Sequence, residues 1–430
     1  MKKNISHAVW SYDAVMYEMN VRQLTEEGTF DAAKRHLQHL KSIGVDVIWL
    51  MPIYPIGVVE RKGLLGSYYS ISDYCDVNPE FGTKADFDAF VAEAHSLGMK
   101  VILDWVANHT ARDAKWLKTK PMSWYERDDK GVAKVPWDWS DTAKLNYAEK
   151  EVWKGQIDAM KYWVENHAVD GFRCDMAMLV PLEFWQEARK ELQGVKSDIF
   201  MLAEAEGVEF YDGAFDACYG WEIHHTMVDV AQGKSRVWEL RNKIYALLNN
   251  FPTGSMHLAF TSNHDENSWS GSEQSRFGDA LEAMTALTFA LPKSLPLIYT
   301  GQEYGYDHSF AFFDKDAMPK FDENASTALY RRLCAMKHNC SALRSADKGG
   351  SFVEINNNAP DCLLTFVREN EKSRVVYIAN LSPYKVFSDF HTSIYSGDYT
   401  DVVTGEKATL YEHTWGEMEP WSYRLLVTKK

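Results

Sequence analysis

Apolar positions in the first half of the chain alternate between two periods. In residues 29–43 (TFDAAKRHLQHLKSI), Phe30, Ala33, Leu37 and Leu40 recur on one helix face, and Gly44 supplies the stop. The continuous apolar run VDVIWLM (45–51) follows, which suits a strand covered on both faces. Residues 83–97 repeat the scheme: Thr83 and Asp86 form a cap-like start, and Phe87, Phe90, Val91, Ala94 and Leu97 form the stripe. Gly98 ends it, and VILDWV (101–106) is the next strand. Further strands are predicted at MYEMN (16–20), GFRCD (171–175), FMLAEA (200–205), HLAFTS (257–262) and LPLIYT (295–300), with an eighth near FDACYG (215–220).

Strand-then-helix units repeated over this span predict a closed (β/α)8 TIM barrel. An open doubly wound sheet is the runner-up, but no glycine-rich phosphate fingerprint follows any strand. Residues 109–148 are too long for an ordinary loop and carry Trp116, Trp124, Trp137 and Trp139, so they are expected to form a small inserted subdomain. Short alternating strands (CLLTFV, RVVYIAN, YRLLVT) then take over. The expected division is a barrel from 1–108 and 149–348, the subdomain 109–148, and a C-terminal antiparallel β-sandwich domain, 349–430.

Composition narrows the function classes. With 46% hydrophobic and 25% charged residues in a chain of 430, disordered, collagen-like and coiled-coil classes are excluded. The net charge of −15 counts against nucleic acid or an anionic membrane surface as partner. No run reaches the ~18 apolar residues of a membrane span. Two lysines at the start have no apolar run behind them, so no signal peptide is visible; six scattered cysteines fit free thiols. A cytoplasmic location is expected unless a leader has been removed. The 15 Trp and 22 Tyr offer flat faces for stacking on sugar rings, beside their ordinary use in cores.

Barrel enzymes place their catalytic groups at the carboxyl ends of strands. Those ends carry Asp104 to His109, Arg173 with Asp175, Glu204, and His264 with Asp265. Arg173 and Asp175, two apart on one strand, point to the same face, so the guanidinium can hold that carboxylate ionised. An ionised Asp beside a second, partly desolvated carboxyl group is the requirement of retaining glycoside hydrolysis. No HxH spacing or second metal-type cluster is seen, which counts against a metal-dependent barrel hydrolase.

In combination these segments resemble the α-amylase family of glycoside hydrolases. DWVANH (104–109), GFRCD (171–175), the Glu of MLAEA and FTSNHD (260–265) match its four signatures in order. GVDVIWLMPIYP (44–55), GSYYSISDY (66–74) and LPLIYTGQE (295–303) are similar to further family segments. The resemblance implies Asp175 as nucleophile, Glu204 as general acid/base and Asp265 as transition-state stabiliser. It also implies Tyr69, Asp104, His109, Arg173 and His264 as substrate-binding residues, acting on starch-derived glucans or maltooligosaccharides through α-1,4 hydrolysis. α-Glucosidase, oligo-1,6-glucosidase or glucanotransferase action on short oligosaccharides is the alternative, and a catalytically dead carbohydrate-binding relative is the non-enzymatic one.

Three departures from the family pattern matter. Many members carry Lys-His three and four residues after the nucleophile, where this chain has Met178 and Leu179. Met176, directly after the nucleophile, maps onto neither linkage preference. The family calcium site uses the Asn of the first signature, subdomain carboxylates and a backbone carbonyl; Asn108 is present, but Lys144 stands at a carboxylate position. An ammonium about 4 Å from a divalent ion at an effective dielectric near 20 costs roughly 8 kcal/mol. No cofactor is therefore expected and the calcium site is expected to be empty, with Asp138 or Asp141 the nearest acidic substitutes.

Overall fold

The structure is a computed structural model that describes residues 7–429. The expectation drawn from the first residues of the chain falls on Met1–Ser6 and lies outside the described part. Eight parallel strands close into a barrel: β1 (Met16–Met19), β2 (Val47–Leu50), β3 (Lys100–Val106), β4 (Gly171–Asp175), β5 (Phe200–Ala203), β6 (Ala217–Tyr219), β7 (Met256–Ala259) and β8 (Ser294–Tyr299). They follow one another round the ring, β1-β8-β7-β6-β5-β4-β3-β2. All eight sequence-predicted strands are present: Gly171–Asp175 keeps its predicted bounds, Lys100–Val106 gains one residue, Ser294–Tyr299 shifts by one, and the other five are one to three residues shorter.

The helices follow their caps. Thr83 and Asp86 close a reciprocal capping box at the start of Lys84–Ser96. The helix expected over 29–43 is two, Phe30–Lys34 and Leu37–Ile43. Arg35 and His36 donate to the carbonyls three residues back, which tightens the turn, while Phe30, Ala33, Leu37 and Leu40 all stay buried. Gly171 is required by packing rather than by conformation: a Cβ there would lie 2.1 Å from the Phe200 carbonyl oxygen on neighbouring β5.

By contact density, two compact units divide the chain. One holds 7–8, 17–218 and 310–321; the other holds 9–16, 219–309 and 322–429. In the first, the segment after β3 forms a ribbon, His109–Ala111 paired with Thr142–Lys144. Trp124, Tyr125, Ala143, Leu145 and Val152 pack as its own small core, with Trp116 against it. In the second, the chain after the barrel is antiparallel β: β9 (Ser351–Glu354), β10 (Leu363–Glu369), β11 (Ser373–Asn380), β12 (Val386–His391), β13 (Gly397–Asp401), β14 (Lys407–Leu410), β15 (His413–Met418) and β16 (Tyr423–Lys429). Six form one sheet in the order β9-β10-β11-β16-β13-β14, and β12 pairs with β15. Val367, Val376, Ile378, Phe390 and Leu426 lie in its core. No described helix is long and apolar enough to cross a membrane.

Candidate active site

Arg173 is the centre of the group on the first unit. It lies on β4 directly opposite Asp104 of β3, and its side chain is fully buried. Nη1 donates to both oxygens of Asp104, at 2.9 and 3.1 Å, and to Oδ1 of Asp175 at 3.2 Å. Nη2 pairs with Oε2 of Glu204 at 2.9 Å. One guanidinium thus gathers three carboxyl groups from three neighbouring strand ends. The sequence-predicted pairing of Arg173 with Asp175 is there, and so is the approach of Asp104 and Glu204.

Glu204 is fixed through its backbone and its side chain. Its N–H donates to the Cys174 carbonyl and its own carbonyl accepts from Ala177 N–H. Met176, held at φ 43° and ψ 44°, turns its N–H onto Glu204 Oε2 at 2.7 Å. A non-glycine residue in the left-handed region is strained, and here the strained backbone directs a donor at the Glu204 carboxyl.

Asp104 has two further donors, each 3.1 Å from Oδ2: the indole N–H of Trp49 and the hydroxyl of Tyr69. The rings of Trp49 and Tyr69 also flank the Arg173 guanidinium, at 5.1 and 5.8 Å. Phe312 lies parallel to Tyr69, with ring centroids 6.2 Å apart. His109 is buried with Trp139 beside it at 5.2 Å, and its Nδ1 lies 3.2 Å from the Asn108 amide. Burial holds its pKa down to about 4, opposed by a hydrogen bond to the Tyr69 backbone. His109 is therefore neutral at ordinary pH.

On the second unit, the chain beyond β7 enters a short helix, His264–Trp269, capped by Asn263, whose side chain accepts from Glu266 N–H. His264 is buried and its Nε2 lies 3.3 Å from Oδ2 of Asp265, whose side chain is 39% exposed. Trp49 and Phe312 were not singled out by sequence reasoning, Trp139 entered it only as one of four tryptophans of the inserted segment, and Met176 only as a departure from the family pattern. Trp49 was legible only as part of a strand, and Phe312 sits in a loop without periodicity.

Asn108, Glu126, Lys134, Lys144 and Leu179 line one cavity of about 380 Å³. The Lys144 ammonium is 2.8 Å from Glu126 and that of Lys134 is 3.5 Å from it. One carboxylate already serving two ammonium groups does not suit a divalent cation that wants several anionic oxygens. Asp141 faces Lys62 instead, at 3.8 Å, and Lys62 also donates to the Asp138 carbonyl; neither aspartate lines the cavity.

Comparison with known proteins gives a consistent picture. Residues 18–142 and 133–358 match the sequence family described as alpha amylase, catalytic domain, and 354–420 match the alpha amylase C-terminal all-beta domain. The chain is 29% identical over 416 residues to alpha-amylase MalA of Haloarcula japonica; this covers 92% of the chain, which spans 59% of that relative's length. It is similar in structure to the noncanonic maltogenic alpha-amylase AmyB of Thermotoga neapolitana (TM-score 0.88, 28% identity, 98% of this chain and 100% of that one). The alpha-amylase of Lactobacillus plantarum is also similar (TM-score 0.86, 30% identity, 97% and 99%).

Proposed function

The chain belongs to the α-amylase family, and on that premise we propose that it is a retaining glycoside hydrolase cleaving α-1,4-glucosidic bonds in starch-derived glucans or maltooligosaccharides. The observation that carries this reading is the shared guanidinium of Arg173, which holds Asp175 and Glu204 at adjacent strand ends. Asp175 attacks the anomeric carbon while Glu204 protonates the leaving oxygen. Water then hydrolyses the glycosyl-enzyme with Glu204 acting as base. Asp265 stabilises the transition state. Oε2 of Glu204 is taken up by Arg173 and the Met176 N–H, so Oε1 is the oxygen that carries the proton. His109 and His264 hydrogen-bond sugar hydroxyls, Asp104 and Arg173 orient the network, and Tyr69 stacks on the same ring.

Action on short oligosaccharides, including α-1,6 hydrolysis or transfer, is the second reading. It is favoured by Met178 and Leu179 in place of Lys-His, with Met178 48% exposed. A calcium ion has no part in either scheme. Six free cysteines, four of them buried, support a reducing, cytoplasmic setting. A product profile on maltoheptaose, pullulan and panose separates the readings, and proton NMR of fresh product should show the α-anomer first. Early β-anomer would remove Asp175 as nucleophile; no sugar release from any substrate would leave the binding-only relative.

A further inference from the structure

The ribbon of β12 and β15 carries chemistry that hydrolysis does not use. His391 lies directly opposite His413, and Asp389 opposite Trp415. The period of two along a strand sets Asp389, His391, His413 and Trp415 on one face. That face is open, with Trp415 65% exposed, whereas Ser388 and Phe390 on the other face are buried. The two imidazole rings stack 4.3 Å apart at 11°, and Asp389 Oδ1 is 2.7 Å from His413 Nε2. One ligand atom from each of the three residues lies within 4.8 Å of the others. The Asp389 backbone is pinned as well: its N–H donates to Asn358 Oδ1 at 2.8 Å and its carbonyl accepts from Asn358 N–H at 3.1 Å.

We propose that Asp389, His391 and His413 bind a zinc-class divalent ion that bridges β12 and β15. Two imidazoles and one carboxylate are zinc ligands, and they leave the fourth position to water. A hard cation such as calcium wants oxygen and is not served by this set. Tetrahedral bonds of about 2.0–2.1 Å bring ligand atoms to roughly 3.3 Å from one another. Rotation of exposed side chains covers the remaining gap without moving the backbone.

A second cluster, His224, His225 and Glu266, has the same ligand types. There Arg276 Nη1 lies 3.4 Å from Glu266 Oε2 and 3.5 Å from His224 Nε2. A fixed guanidinium already occupies that place, so a metal ion is opposed.

The test uses the full chain, stripped with EDTA and titrated with zinc against a chromophoric chelator. One zinc per chain is expected. His391→Ala and His413→Ala should each weaken binding more than about 100-fold, beyond the loss seen when a supporting partner of a ligand is removed. Asp389→Asn should weaken it in the same direction, and His225→Ala should leave it unchanged. Copper should quench wild-type fluorescence more than that of Trp415→Phe. Activity on maltoheptaose and the far-UV spectrum should match wild type in every variant. The proposal is overturned if the wild type takes up no zinc, if the His391→Ala/His413→Ala double variant binds as the wild type does, or if His225→Ala abolishes binding.

Discussion

Arg173 shows how much one residue decides. Its single positive charge meets Asp104, Asp175 and Glu204, so full ionisation would leave a net charge of 1 − 3 = −2 in a buried group. Like charges gathered in one site disfavour full ionisation. Asp104 accepts from Trp49 and Tyr69 besides Arg173, and Asp175 shares its nitrogen atom on Arg173; Glu204 is the proton carrier of the proposed mechanism. Glu204→Gln is expected to lower kcat by roughly 10²–10⁴-fold. Asp175→Asn should lower it at least as far, and both variants should keep their far-UV spectra and melting temperatures. Wild-type turnover by either variant would refute the assignment. Arg173→Met should instead destabilise the fold, by about 3–5 kcal/mol in urea titration, because it leaves buried carboxylates without their cation.

At the scale of elements, the ribbon His109–Ala111 with Thr142–Lys144 brings Lys144 opposite His109 in register. That register carries the ammonium into the cavity with Asn108 and Glu126, where it pairs with the carboxylate. EDTA should therefore leave activity unchanged, adding calcium back to the EDTA-treated protein should raise neither its activity nor its melting temperature, and elemental analysis of the protein should find no stoichiometric calcium. Calcium whose removal lowers both would overturn this. Strand β15 is the element least legible in the sequence: along His413–Met418 exposed residues alternate with half-buried ones, so no apolar run announces it. It exists because every residue from Val386 to His391 finds a partner on it.

For the whole molecule, buried imidazoles contribute to the loss of stability toward acid pH. His109 and His257 are buried, and burial holds them down to about 4 and about 3, helped in His257 by the charge of Lys293. In the unfolded chain both titrate near 6.5. Below about pH 6.5 the unfolded state takes up protons that the folded state refuses, so stability falls as pH falls. Their contribution is complete above that value and is lost progressively toward pH 4 and then 3. Melting curves from about pH 7 down to about 4 should show this decline, and His257→Gln should make it shallower. A melting temperature independent of pH across that window would contradict the assignment.

The sequence by itself determined the eight barrel strands, the capped helix after Thr83, and the same-face pairing of Arg173 with Asp175. Those features rest on periodicity and on groups a few residues apart, which local chemistry sets. Only the tertiary structure decided that Asp104, 69 residues from Arg173, shares its guanidinium, and that Trp49 and Tyr69 complete the shell around that aspartate. It also decided the places of Phe312 beside Tyr69 and of Lys144 beside Glu126. Such contacts depend on strand register and barrel closure, where a slip of one residue turns every side chain to the opposite face. No local pattern encodes that choice; the packing of the closed barrel makes it.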